Sequence, residues 1–97
     1  METANPSQDL AHLRPRREAV MVREIEREML LLDTDSNLIH KLNQTASFIW
    51  RSLGDVRSSE ELARRLANEY EVEEHLALRD VVETLRKLMQ LNLVIAA

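Results

Sequence analysis

Ninety-seven residues make one small domain, and a composition 44% apolar but 3% aromatic restricts its core to Leu, Val, Ile and Ala, with little room for a deep catalytic cleft. A net charge of −4 speaks against general nucleic-acid binding, which draws most of its affinity from a basic surface. With no cysteine there is no disulfide or thiolate metal site, and no apolar run nears the ~20 residues that span a bilayer, so the expectation is a cytoplasmic protein without membrane contact.

The first stretch, residues 1–13, contains Asn5-Pro6-Ser7-Gln8-Asp9, which is polar and lacks periodicity. It is expected to be a flexible N-terminal segment ahead of a single domain spanning residues 14–97. Arg14-Pro15-Arg16-Arg17 is a basic cluster at the start of that domain. It reads as a solvated edge, with contact to an acidic partner as the alternative.

Between Ala19 and Leu42 the pattern predicts three short strands. Val20 and Val22 alternate with Met21 and Arg23, Met29 to Leu32 is an apolar run, and Leu38, His40 and Leu42 alternate with Ile39 and Lys41. Glu26-Arg27 is a tight connection. Asp33-Thr34-Asp35-Ser36-Asn37 is a turn rich in side chains that bond their own backbone. The result is an antiparallel meander whose third strand has one sequence neighbour and therefore a free edge.

Three helices follow. The first is capped by Asn43, carries Ala46, Ile49, Trp50 and Leu53 at helical spacing, and ends at Gly54, the one glycine in the chain. The second starts at Ser58 or Ser59, where Ser58 and Glu61 have capping-box spacing, and ends near Tyr70. The third runs from about Glu74 to Gln90 with a wide apolar stripe. Asn92 then stands as a left-handed terminator before Leu93-Val94-Ile95, a short strand or extended tail. Leu42, Ile49, Trp50, Leu53, Leu62, Leu66, Val81, Leu85 and Leu88 are the expected core. The fold class is α+β, a three-stranded antiparallel meander followed by three helices.

The sequence offers little for catalysis. One glycine precludes a Gly-rich phosphate loop, and His12, His40 and His75 fall in separate segments without metal-ligand spacing. Glu60, Glu61, Glu73 and Glu74 sit in first helical turns, where they complement the helix dipole. No hydroxyl has a candidate base beside it. The chain is read as a non-enzyme with no metal and no cofactor. Two helices joined by a short turn do suggest a DNA-binding helix-turn-helix. Yet Glu73, Glu74 and Asp80 crowd the N-terminal half of the third helix, the half that would enter the major groove.

The order of these elements resembles the PqqD-like family, the recognition elements of ribosomally made, post-translationally modified peptides. The pattern is Leu42-Asn43-x-x-Ala46-x-x-Ile49-Trp50-x-x-Leu53, then Ser59-x-Glu61-Leu62-Ala63-x-x-Leu66 and Tyr70-Glu71-Val72. Asp80-Val81 and Leu85-x-x-Leu88-x-x-Leu91-Asn92-Leu93-Val94 complete it. It covers roughly Leu13 to Ile95. Asn92 stands where the family usually has glycine, and Asp55-Val56-Arg57 lacks the family's common glycine. The resemblance implies a small winged helix-turn-helix that binds the leader segment of a precursor peptide. The bound peptide would be presented to a modifying enzyme such as a radical-SAM enzyme, a cyclase or a leader protease. The alternatives are a winged-helix DNA-binding regulator and a structural subunit of an enzyme complex.

The expected site is a groove. One wall is the third strand, Asn37, Leu38, Ile39, His40 and Lys41, whose free edge can accept an extended peptide as a further strand. The other, if the third helix lies across that edge, is its outward stripe of Leu78, Arg79, Val82, Glu83 and Arg86. The same edge can also pair two copies of the chain as a homodimer.

Overall fold

A computed structural model describes residues 10–96. The elements run β1 (Leu13–Pro15), β2 (Val20–Ile25), β3 (Glu28–Asp33), β4 (Leu38–Leu42), α1 (Gln44–Ser52), α2 (Ser59–Tyr70), α3 (Glu74–Gln90) and β5 (Val94–Ala96). The mixed α+β class, the meander and the three helices are as the sequence predicts.

β2, β3 and β4 form an antiparallel sheet in that order, so among the described residues β4 pairs with β3 alone. Period-two alternation sets its two faces. Met29, Leu31 and Asp33 of β3 are buried, while Leu30 and Leu32 between them are half-exposed. The β2–β3 turn uses Glu26 and Arg27 at φ 53° and 71°, a pair of positive dihedrals that usually recruits Asn-Gly. Arg27 forms an ion pair with Glu69 and lies 5.5 Å over the Tyr70 ring, which clamps this turn onto α2. The β3–β4 turn is held by Asp33, whose Oδ1 accepts from the Asp35 N–H at 3.0 Å. Asn37 belongs to this turn, at φ 60°, and not to the strand expected to include it.

The helix caps follow the residue chemistry. Asn43 Oδ1 accepts from the Ala46 N–H at 2.8 Å, and Ser58 Oγ accepts from the Glu61 N–H at 3.1 Å. Glu61 returns a bond to the Arg57 N–H at 2.8 Å, one residue earlier than a standard capping box. Gly54, at φ 100°, follows an extended Leu53 (φ −63°, ψ 137°), and the Asp55 N–H bonds the Ser52 carbonyl at 3.0 Å. This is a type II turn after the helix rather than a cap directly on it. After α3, Asn92 (φ 61°) donates its N–H to Met89 O, and Leu93 donates to Leu88 O at 2.9 Å. That pair of bonds is a Schellman motif with Asn in the position glycine usually takes.

All nine expected core residues are buried, at 6% exposure or less. Of the two endings expected for Leu93-Val94-Ile95, a short strand or an extended tail, the structure has the strand: β5 pairs antiparallel with β1, Leu13 opposite Ala96 and Pro15 opposite Val94. Strands of three residues with partners some eighty positions apart carry no detectable periodicity. Packing also reaches back before residue 14, because Leu10 is 1% exposed within the core and donates its N–H to Arg57 O at 2.8 Å. The flexible segment expected for residues 1–9 lies outside the described residues.

The basic cluster is a solvated edge only in part, with Arg17 exposed and Arg14 half-exposed. Arg16 is buried, with Nη2 2.7 Å from Asp33 Oδ1, so a charge just ahead of the first long strand is neutralised by one at the end of the next. Arg14 pairs with Glu18 at 3.1 Å, and Arg17 lies 5.1 Å over the Trp50 ring.

Candidate functional site

The free edge of β4 opens into a groove whose opposite wall is α3. The cavity measures about 530 Å³. Ile39, His40, Lys41 and Leu42 form the strand side, and Asn43, Thr45 and Ala46 of the α1 start close one end. Asp80, Thr84, Lys87, Leu88 and Leu91 form the helix side. Asp80, Thr84, Lys87 and Leu91 are spaced i, i+4, i+7 and i+11, a single stripe along the helix. The stripe borders the buried positions Ala77, Val81 and Leu88, on a helix packed against α1, α2 and β5.

One buried hydroxyl sets the relation between strand and helices. Ser47, 0% exposed, donates to Leu42 O at 3.0 Å and accepts from the Met29 N–H at 3.0 Å. Met29 and Leu42 face each other across β3 and β4. Ser47 therefore pins the last rung of that ladder to α1 and satisfies two backbone groups that would otherwise be buried unpaired.

Beyond the first cavity the channel continues along β4. A second depression of about 360 Å³ shares His40 and Leu91 with the first, and adds Leu38 and Asn92 beside the Arg16–Asp33 pair. The two lining sets fix the direction of α3. Its C-terminal end lies at the Leu38 end of β4, and Asp80 lies at the Leu42 end. Within this region burial works to raise the Asp33 carboxyl pKa. The N–H groups of Asp35 and Ser36 and the Arg16 guanidinium outweigh that, holding it below its ordinary value of 3.8.

The structure brings together the strand half of the expected site and separates it from the helix half. Leu38, Ile39, His40 and Lys41 line the channel, with Ile39 68% exposed. Leu78, Arg79, Val82, Glu83 and Arg86 do not face β4. With His75 they line a different, shallow depression, roughly 150° around the helix from the groove stripe at 100° per residue. The stripes flank the same buried face on opposite sides, and periodicity alone does not say which flank meets the strand. Asp80, Thr84, Lys87, Leu88 and Leu91, which line the groove on its helix side, were not among the site residues expected from the sequence.

What the arrangement can do is bind. An unpaired strand edge offers alternating N–H and C=O groups to an extended chain, and an adjacent half-apolar wall supplies side-chain contacts. Among the described residues no three His, Asp or Glu side chains gather to hold a metal ion, and no helix is long and apolar enough to cross a membrane.

The family model described as coenzyme PQQ synthesis protein D (PqqD) matches residues 28–94, a span from β3 to the first residue of β5. One similar solved structure is lasso peptide synthetase B1 complexed with the leader peptide. It has 33% identity and a TM-score of 0.74, over 88% of this chain and 99% of that one. Another is TbiB1 in complex with the TbiA(beta) leader peptide, with 27% identity and a TM-score of 0.71, over 84% of this chain and 93% of that one. No curated protein sequence matches.

Proposed function

The chain belongs to the PqqD family, and from that premise we propose that it binds the leader segment of a ribosomally made precursor peptide and presents it to a modifying enzyme, without catalysing a reaction itself. The leader would lie in the groove as a fourth strand beside β4. Its backbone would bond the free edge, and its side chains would alternate between the α3 wall and the outer face of the sheet. The observation that carries this reading is the unpaired β4 edge aligned with a 530 Å³ channel under α3. It is supported by the leader peptides named for both similar structures, one of which is lasso peptide synthetase B1 and favours a precursor of that class.

Calorimetry against the leader half of the precursor encoded beside this gene tests the proposal. Saturable one-to-one binding is expected, with no comparable affinity for duplex DNA at either low or high salt. Strongly salt-dependent duplex binding with no peptide binding would overturn it.

A further inference from the structure

We propose that the groove selects its peptide by charge, with Lys87 reading an acidic side chain and Leu91 reading an apolar one two residues further on. This rests on the peptide-binding reading above and adds what kind of peptide fits.

The helix wall is graded. Asp80, at the Leu42 end, is followed by Thr84, Lys87 and Leu91. Lys87 is exposed on this wall and has no ion-pair partner among the described residues, whereas Lys41 across the groove is engaged with Glu28 at 3.4 Å. An anion entering the channel therefore meets an uncommitted ammonium at Lys87. At the far end it meets the Asp80 carboxylate, which repels it. Leu91 is 37% exposed and Ile39 68% exposed, so these two offer apolar surface beside the Lys87 position.

The spacing matches a strand. Lys87 and Leu91 are four residues apart, about 6 Å along a helix at 1.5 Å per residue. Alternate residues of a strand, which point to the same side, are about 6.7 Å apart. One peptide side chain can thus face Lys87 while the next on that side faces Leu91.

Direction follows from the sheet. Every pairing in it is antiparallel, and antiparallel ladders are slightly more stable per residue. An antiparallel fourth strand enters at the Leu42 end, beside Asp80, and leaves at the Leu38 end, beside Leu91. The recognised order is therefore acidic, any residue, apolar, read from the peptide's N-terminus.

The test is a phage-displayed library of random dodecapeptides panned against the wild-type chain, Lys87→Glu and Arg86→Glu. Wild type and Arg86→Glu, whose change lies on the other face of α3, should enrich an acidic residue two positions before an apolar one. Lys87→Glu should enrich a basic residue there. Its affinity for a wild-type-selected peptide should fall about 5- to 10-fold, the scale of reversing one exposed ion pair. Enrichment by wild type without an acidic preference, or an unchanged preference in Lys87→Glu, would overturn the charge assignment while leaving peptide binding intact. No enrichment of any sequence by folded wild type would overturn both.

Discussion

The indole N–H of Trp50 donates a hydrogen bond of 2.9 Å to the carbonyl of Leu93, 43 residues later in the chain. The same carbonyl accepts the Arg16 N–H at 2.9 Å. One oxygen thus joins α1, the residue after β1 and the segment entering β5, and it lies just beyond the Schellman turn that ends α3. Trp50 is fully buried, so its bond is made away from water, where an unpaired partner is costly.

Trp50→Phe keeps an aromatic ring and removes the donor. Lost hydrogen bonding should cost about 1–2 kcal/mol, with a further contribution from the smaller ring. Trp50→Ala, which also opens a cavity, should cost about 3–5 kcal/mol. Urea unfolding of the two variants checks the order, and a Trp50→Phe variant as stable as wild type would show that the hydrogen bond contributes nothing beyond packing.

Stability should fall in acid through Asp33. Its carboxyl pKa is depressed in the folded protein, so the unfolded chain binds a proton more readily. The stabilisation is complete above the unfolded value near 3.8 and is lost as pH drops through the lower folded value. Glu61 and Glu18, also depressed from 4.5, act in the same direction. Asp33→Asn should be less stable at neutral pH and should show a flatter decline below about pH 4. An unchanged acid limb in thermal melts would remove Asp33 from this account.

At Asn92 the backbone is left-handed, φ 61°. Asn92→Ala should destabilise by roughly 1 kcal/mol, because a β-carbon without a local hydrogen-bonding group is disfavoured there. Asn92→Gly should be neutral or slightly stabilising. Denaturant midpoints for the pair give the comparison, and a more stable alanine variant would contradict the Schellman assignment.

Two single changes on opposite flanks of α3 separate the groove from its neighbour. Thr84→Trp fills the channel from a half-buried position on its wall, and leader affinity should drop at least about tenfold, ~1.4 kcal/mol. Val82→Glu, on the far flank, should leave affinity unchanged. The reverse pattern would move the site to the depression around His75 and Arg86.

Much of the fold was legible because local chemistry and global structure agree. Asn43, Ser58 and Asn92 mark helix ends through hydrogen bonds or dihedrals that depend only on neighbours in sequence. Ile49, Leu62 and Val81 sit on faces that periodicity identifies. The placement of β4 at a sheet edge was legible in part, since β4 follows a recognisable turn; that β5, the one later strand among the described residues, pairs with β1 and leaves this edge open was not. What was hidden depends on distance along the chain. The β1–β5 pairing joins three-residue segments from opposite ends, and the Arg16–Asp33 ion pair looks like two surface charges until β2 brings them together. The hydroxyl of Ser47 reads as an ordinary helix residue unless Met29 and Leu42 are known to meet beside it. Which flank of α3 turns toward β4 was not legible, because both flanks of its core stripe carry mixed polar and apolar residues. Only the packing of α3 against α1, α2 and β5 sets Thr84, Lys87 and Leu91, rather than Leu78, Val82 and Arg86, along the β4 groove.

Hydrogen exchange of the full chain with and without the leader half of its precursor tests the central claim most directly. A peptide added to β4 must bond the outward-facing backbone N–H groups of that strand, so amides within residues 38–42 should exchange more slowly when peptide is bound. The exposed stretch around Leu78 to Arg86 should show no comparable change on its outer face. Peptide binding with unchanged exchange in β4, or protection confined to the His75–Arg86 face, would contradict strand addition at this edge.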